Sequence, residues 1–182
     1  MMNIPVLGFS GPSGVGKTTL LTNLIPLLRY KGLRVGLIKH SHHNFDIDVP
    51  GKDSYTLREA GANPVLIGSR HRWALMKETP ELVEPRLRDL VAHFHRDTVD
   101  LILVEGFKQE QFPKIVLQRG NISEPYSGDP SVIAIAIADG KAGAPDYETI
   151  LRPSELPILD LNQPKQIAAF ILDNLDRFRK DF

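Results

Sequence analysis

The chain opens with a short apolar run, Val6 to Phe9, that leads into the segment Gly11-Pro12-Ser13-Gly14-Val15-Gly16-Lys17-Thr18. This segment matches the phosphate-binding pattern G-x-x-x-x-G-K-[ST] at every fixed position. Consecutive backbone N–H groups can surround an anion only where side chains do not block the approach, and glycine permits the backbone angles this requires. The pattern therefore predicts a strand, a phosphate-binding loop and a helix, with a nucleoside triphosphate bound at the loop.

The residues of this loop have distinct predicted roles. Lys17 supplies a positive charge, Thr18 offers a hydroxyl to Mg²⁺, and the following helix turns its positive N-terminal end to the phosphates. We predict that the nucleotide is held by Gly11, Pro12, Ser13, Gly14, Val15, Gly16, Lys17, Thr18 and Thr19. A dinucleotide-binding G-x-G-x-x-G pattern is less favoured, because its third glycine would fall on Thr19.

Composition narrows the class of protein. A chain of 182 residues with 42% apolar content predicts one compact domain spanning residues 1–182. Its formal net charge is zero, which gives no electrostatic reason to expect nucleic acid or a membrane as partner. Cysteine is absent, so disulfides and thiolate metal sites are excluded. No export signal and no membrane-spanning apolar run are evident, so we expect a cytoplasmic protein.

Short apolar strands alternate along the chain with amphipathic helical patterns. This alternation predicts an α/β protein with a three-layer P-loop NTPase fold, in which helices cover both faces of a mostly parallel central sheet. Two further strands, residues 64–68 and 73–77, are separated by four residues. So short a connection predicts an antiparallel hairpin, because parallel strands need a longer crossover.

Four polar or glycine positions follow predicted strands directly: Gly11, Lys39, Glu105 and Asp139. In open α/β sheets, ligands bind along the edge formed by the carboxyl ends of the strands. We therefore predict that Glu105 joins Thr18 in holding Mg²⁺. Asp139 is a candidate acceptor for the N1 and N2 groups of guanine, although an aspartate after a strand is also common turn chemistry.

The segment between Lys39 and Lys52 is polar and contains three histidines and two aspartates. We expect it to contact phosphate, Mg²⁺ or a second anionic ligand, with Asp46 or Asp48 as the catalytic candidate that orders a water. The candidate contacts to phosphate or to a second ligand are Lys39, His40, His42, His43, Lys52 and Lys108. A dedicated transition-metal site is the alternative, but the histidine spacing does not establish one.

Two apolar features of the middle of the chain allow competing interpretations. Trp73 lies in a predicted strand, and a core position is favoured over an interface position. Phe45, Ile47 and Val49 alternate with polar residues and predict an edge strand that pairs subunits.

Several segments together closely resemble the molybdopterin-guanine dinucleotide biosynthesis adaptor family. They are the phosphate loop, the run Ile38-Lys39-His40-Ser41-His42-His43, the run from Phe45 to Ser54, Arg72-Trp73-Ala74-Leu75-Met76, and Asp100 to Lys108. The resemblance implies a dimeric protein that binds GTP and Mg²⁺, hydrolyses GTP weakly, and assists the molybdenum cofactor guanylyltransferase that joins GMP to molybdopterin. Molybdopterin or its guanine dinucleotide is a further possible ligand.

Position by position, the resemblance implies that Gly14, Gly16, Lys17 and Thr18 contact the phosphates and that Glu105 binds Mg²⁺. The guanine-reading pattern N-K-x-D is absent from the chain, so the identity of the base rests on the resemblance. Two alternatives stay open. One is a small-molecule kinase whose lid would use Arg70 and Arg72, and the other is a metal-insertion GTPase that would use the three histidines.

Overall fold

The computed structural model describes residues 4–41, 45–79, 83–119, 129–138 and 156–179. The chain divides into two compact units. The first, called here the sheet unit, contains residues 1–40 and 86–182, and the second, the inserted unit, contains residues 41–85. Three predicted site residues, His42, His43 and Asp139, lie outside the described residues.

Six strands form the sheet of the first unit. They are β1 Val6–Ser10, β2 Val35–Lys39, β5 Leu101–Glu105, β6 Lys114–Arg119, β7 Val132–Ala138 and β8 Ile158–Asp160. Their order is β2-β5-β1-β6-β7-β8, and every neighbouring pair is parallel. The central strands are almost wholly buried, as expected of parallel strands covered on both faces.

Helices cover both faces of this sheet, as the sequence predicts. On one face, α1 (Lys17–Tyr30) and α4 (Pro164–Asp173) pack against the side chains of Leu7 and Phe9. On the opposite face, α3 (Leu87–Val91) packs against Val6. A short 3₁₀ helix, Leu175–Phe178, follows α4. The prediction of a three-layer α/β fold is confirmed.

The inserted unit contains α2 (Asp53–Glu59) and the two strands β3 (Val65–Gly68) and β4 (Trp73–Met76). The strands pair antiparallel, so the predicted hairpin is confirmed. Trp73 is 70% exposed, and the prediction that it lies in the core is therefore wrong.

Residues 45–49 form no strand, which corrects the prediction of an edge strand there. The Asp48 carboxylate accepts a hydrogen bond from the backbone N–H of Val49 at 3.0 Å, a local turn contact that competes with strand pairing. Within the part of the chain that the structure describes, no helix is long and apolar enough to cross a membrane.

Candidate nucleotide site

The phosphate loop lies where the sequence predicts, between the end of β1 at Ser10 and the start of α1 at Lys17. Gly11, Gly14 and Gly16 have φ angles of 150°, 74° and 107°, which side chains rarely adopt. A Cβ atom on Gly11 would also lie 2.6 Å from the backbone oxygen of Leu117 in β6. The loop can therefore approach β6 this closely only because glycine stands at that position.

Lys17 closes back over the loop. Its Nζ donates hydrogen bonds to the backbone oxygens of Gly11 at 3.1 Å and Pro12 at 2.8 Å. Burial lowers the pKa of Lys17, Glu105 raises it, and the neighbouring ammonium groups of Lys108 and Lys39 lower it further, so that the net shift is downward. Bound phosphate would stabilise the protonated form of Lys17 and so raise its pKa, because an anion accepts stronger hydrogen bonds from an ammonium group than a carbonyl does.

Glu105 and Thr18 meet beside the loop. The Thr18 hydroxyl lies 3.4 Å from Oε1 and 3.5 Å from Oε2 of Glu105. Strand pairing sets Lys39 of β2 beside Glu105, and the Lys39 Nζ lies 3.7 Å from Oε2. A hydroxyl and a carboxylate are ligands that Mg²⁺ accepts, so these two side chains fit the predicted magnesium site.

The backbone after Glu105 is fixed by His40. The His40 N–H donates to the Glu105 backbone oxygen at 2.8 Å, and its ring stacks on Phe107 with 4.4 Å between centroids. A Cβ on Gly106, whose φ is 109°, would lie 2.6 Å from the Cβ of His40. This close contact explains why glycine stands at position 106: His40 packs against the end of β5 and holds the backbone at Glu105.

A cavity of about 320 Å³ adjoins the start of the phosphate loop. Its lining residues are Ser10, Gly11, Pro12, Lys108, Lys114, Val116, Asp129 and Val132. Lys114 is 3% exposed, donates to the backbone oxygens of Lys108 at 3.0 Å and Glu110 at 2.7 Å, and pairs with Asp129 at 3.5 Å. Lys114, which the sequence reading missed, thus holds the segment that carries Lys108 beside the loop. Its signal is a lysine next to the apolar run of β6.

Arg119 is a second residue that the sequence reading missed. It ends β6, its Nε donates to the backbone oxygen of Val15 at 3.5 Å, and its Nη2 lies 3.6 Å from where a Cβ of Gly16 would be. The signal was available, because the apolar run within residues 115–118 predicts a further strand and Arg119 directly follows it. The rule that selected Lys39 and Glu105 also selects Arg119.

Three of the predicted residues that the structure describes lie in the inserted unit. The Asp48 Oδ1 accepts a hydrogen bond from the Ser54 hydroxyl at 2.8 Å, and Oδ2 lies 4.0 Å from Nε of Arg58. Asp46 lies 3.8 Å from Nη2 of the same arginine. Both aspartates therefore have structural partners within their own unit, while Lys52 is exposed immediately before α2.

The metal alternative gains no support from the residues that the structure describes, because no three of their histidine or acidic side chains come together as metal ligands. Of the three histidines considered for such a site, His40 is described, and its ring is stacked on Phe107.

A parallel sheet that carries a phosphate loop at the end of one strand and an acidic side chain at the end of the next defines a P-loop nucleotide-binding fold. Comparison with known families makes the assignment more specific. The family described as "Molybdopterin guanine dinucleotide synthesis protein B" matches residues 6–138, and the chain belongs to this family.

Full-length relatives agree with this assignment. The chain is 44% identical to the molybdopterin-guanine dinucleotide biosynthesis adapter protein of Escherichia coli (strain K12) over 173 residues, which are 93% of each chain. It is 45% identical over 178 residues to the protein of the same name from Haemophilus influenzae, covering 96% of this chain and 92% of that one. The crystal structure of a molybdopterin-guanine biosynthesis protein B superposes with a TM-score of 0.68 at 25% identity, covering 93% of this chain and 99% of that one.

Proposed function

We propose that this protein is a GTP-binding adapter in molybdopterin-guanine dinucleotide biosynthesis and assists the molybdenum cofactor guanylyltransferase. Family membership supports the adapter role and favours it over the kinase and metal-insertion alternatives. The observation that carries the nucleotide-binding part is the meeting of Lys17, Thr18 and Glu105 at the phosphate loop.

The charges around the loop favour a magnesium-bound triphosphate. Lys39 pairs with Glu105, and Lys17 and Lys108 add positive charge close to the same carboxylate. Thr18 and Glu105 would hold Mg²⁺, which when bound offsets part of the phosphate charge. The excess of ammonium groups over carboxylates complements the charge that remains on the nucleotide.

We expect slow hydrolysis of GTP by the protein alone. In the part of the chain that the structure describes, the side chains recorded beside Glu105 are the Lys39 ammonium group and the Thr18 hydroxyl, which suit phosphate and Mg²⁺ binding. Arg119 lies on the β6 side of β1, whereas Glu105 lies on the β5 side. Binding and positioning therefore outweigh chemistry at this site, which suits an adapter.

Guanine selection and the second ligand belong to the same proposal. Asp139, which follows β7 in sequence, is proposed to accept hydrogen bonds from the guanine edge. Molybdopterin or its guanine dinucleotide is proposed to bind beside the loop, where Lys108 lines the cavity. A volume of about 320 Å³ is at the lower end of the range for small-molecule sites.

We also propose that the protein is a homodimer, with the inserted unit forming the contact. Leu66 and Leu75 lie opposite each other in the hairpin, Trp73 shares their face, and all three are exposed. A two-stranded hairpin is marginal by itself in water, and exposed apolar patches of this kind mark protein interfaces. The two units would act as one nucleotide-binding domain in the cytoplasm, consistent with the absence of cysteine.

Calorimetric titration with GTP and with ATP, each with and without Mg²⁺, tests the proposed function. We expect one nucleotide per chain, tighter binding of GTP than of ATP, and weaker binding when EDTA removes Mg²⁺. Equal affinity for the two nucleotides would contradict the guanine assignment. Unchanged affinity in EDTA would contradict the roles of Thr18 and Glu105.

A further inference from the structure

If the proposed function is correct, the position of Glu105 indicates to which side of β1 the phosphates and the nucleoside of a bound nucleotide lie. Glu105 belongs to β5, which pairs with β1 on one side, and β6 pairs with β1 on the other. A magnesium ion in a P-loop site bridges the β- and γ-phosphates. If Thr18 and Glu105 held Mg²⁺, the terminal phosphates would lie toward β5, and we expect the nucleoside to leave the loop toward β6.

Arg119 lies at the β6 side of the loop. Ser10, the last residue of β1, pairs with Val116, so β6 continues three residues beyond the end of β1 and runs alongside the loop. There the Nε of Arg119 donates to the Val15 oxygen at 3.5 Å, and its Nη2 lies against Gly16. Arg119 is an exposed residue that borders the loop on the side by which the nucleoside would leave.

We infer that Arg119 binds the nucleoside end of the nucleotide, with its planar guanidinium stacked on the face of the base. This inference rests on the proposed function. A guanidinium stacks well on aromatic faces, and the contact from Nε to Val15 holds one edge of the plane against the loop. By contrast, the ammonium group of Lys39, which lies beside Glu105 of β5, would offer only a point charge to the phosphates.

Strand register relates Arg119 to the proposed guanine-reading residue. Arg119 pairs with Ala138 of β7, and Asp139 is the next residue in the chain. Arg119 would contact the face of the base from β6. The pairing therefore sets Ala138, the last residue of β7, next to Arg119, the residue that we assign to the base.

The test compares complete nucleotides with a ligand that has no nucleoside. Affinities of the full chain for magnesium-GTP, GDP and magnesium-tripolyphosphate are measured by calorimetry for the parent, Arg119→Gln and Arg119→Lys. We expect both variants to bind GTP and GDP about tenfold more weakly than the parent, with tripolyphosphate affinity unchanged. The exposed Arg29 at the end of α1 supplies the control Arg29→Gln, which should bind all three ligands as the parent does.

Three results would overturn the inference. Equal losses for GTP and tripolyphosphate would show that Arg119 only supports the loop. Full GTP affinity in Arg119→Lys would show that charge, not a stacked plane, makes the contact, and full affinity in Arg119→Gln would show no contact. If the parent binds neither GTP nor tripolyphosphate, the proposed nucleotide site itself fails, which is a separate outcome from selective loss at Arg119.

Discussion

The two units of this protein treat their apolar residues in opposite ways. In the sheet unit, strands β1 and β5 are buried between helices, and residues such as Leu103 have no exposed surface. In the inserted unit, many large apolar side chains are exposed, among them Phe45, Ile47, Val49, Leu57, Leu66 and Trp73. The sheet unit therefore has a buried apolar core, whereas the inserted unit leaves apolar surface exposed, which fits the subunit contact that we propose.

The inserted unit is held together by ion pairs and a cation–π contact that converge on Arg58. Arg58 of α2 pairs with Asp46 and Glu78 and lies over the ring of Tyr55, with 5.0 Å to its centroid. Such contacts fix geometry but contribute little net stability when they are near solvent. This difference between the units fits the proposal that the phosphate loop of the sheet unit binds the nucleotide and that the inserted unit forms the subunit contact.

The largest expected effect is on stability and comes from the sheet unit. Leu103→Ala should lower the free energy of unfolding by about 3 kcal/mol, because it removes buried methyl groups and leaves a cavity between the sheet and α1. Urea unfolding followed by circular dichroism measures the change.

The matched control applies the same substitution in the other unit. Leu66 is 65% exposed. Leu66→Ala should therefore change the free energy of unfolding, measured in dilute protein, by less than about 0.5 kcal/mol. A loss as large as that of Leu103→Ala would show that the hairpin has a core after all, and the comparison would fail.

The second effect is on association and comes from the inserted unit. Trp73→Ala should raise the dissociation constant of the proposed homodimer roughly 30-fold, about 2 kcal/mol, because exposed tryptophans at interfaces are frequent hot spots. Sedimentation velocity across a concentration series measures the monomer–dimer equilibrium.

Tyr30, at the end of α1, is an equally exposed aromatic residue in the sheet unit. Tyr30→Ala should leave the association unchanged. If the dimer persisted in Trp73→Ala but dissociated in Tyr30→Ala, the subunit contact would lie in the sheet unit, which would contradict the proposal.

The smallest effect concerns an ion pair of the sheet unit. Hydrogen bonds from the Arg34 side chain and backbone lower the pKa of Asp100 from its usual 3.8 to about 2. A depressed carboxyl pKa gives stability that is present above about pH 4 and is lost as the pH falls through 2. Asp100→Asn should therefore lower the melting temperature at pH 7 by about 2 °C or less, because the pair is partly exposed.

That difference should shrink between pH 4 and pH 2, as the parent loses the same charge. Asp173→Asn, at the exposed end of α4, provides the control and should melt like the parent at every pH. A penalty for Asp100→Asn that stays constant down to pH 2 would contradict the ionic origin of the effect.

The sequence predicted those parts of the structure whose signals are local. The phosphate loop depends on adjacent residues with fixed backbone needs, and the hairpin depends on a four-residue link between apolar runs. Glu105 was found because it follows a buried strand, and strand pairing then sets it beside Lys39.

The failures concern long-range packing. The sequence around a tryptophan does not distinguish a core position from an interface position, so the prediction of a core position for Trp73 was wrong. The alternation from Phe45 to Val49 suggested a strand, but Asp48 binds the neighbouring backbone amide instead. Arg119 was overlooked although it follows a predicted strand, as Glu105 does. Lys114 was missed because its proximity to the loop depends on the register of β1 and β6, which the sequence alone does not determine.

We propose above all that the loop after β1 binds a magnesium-bound triphosphate through Lys17. The most direct test is the calorimetric affinity of the parent and of Lys17→Ala for magnesium-GTP at the same pH and salt concentration. We predict that the variant stays folded and binds at least tenfold more weakly, because a charged hydrogen bond and a Coulomb attraction are both lost. Equal affinity in parent and variant, or no binding by the folded parent, would contradict the claim.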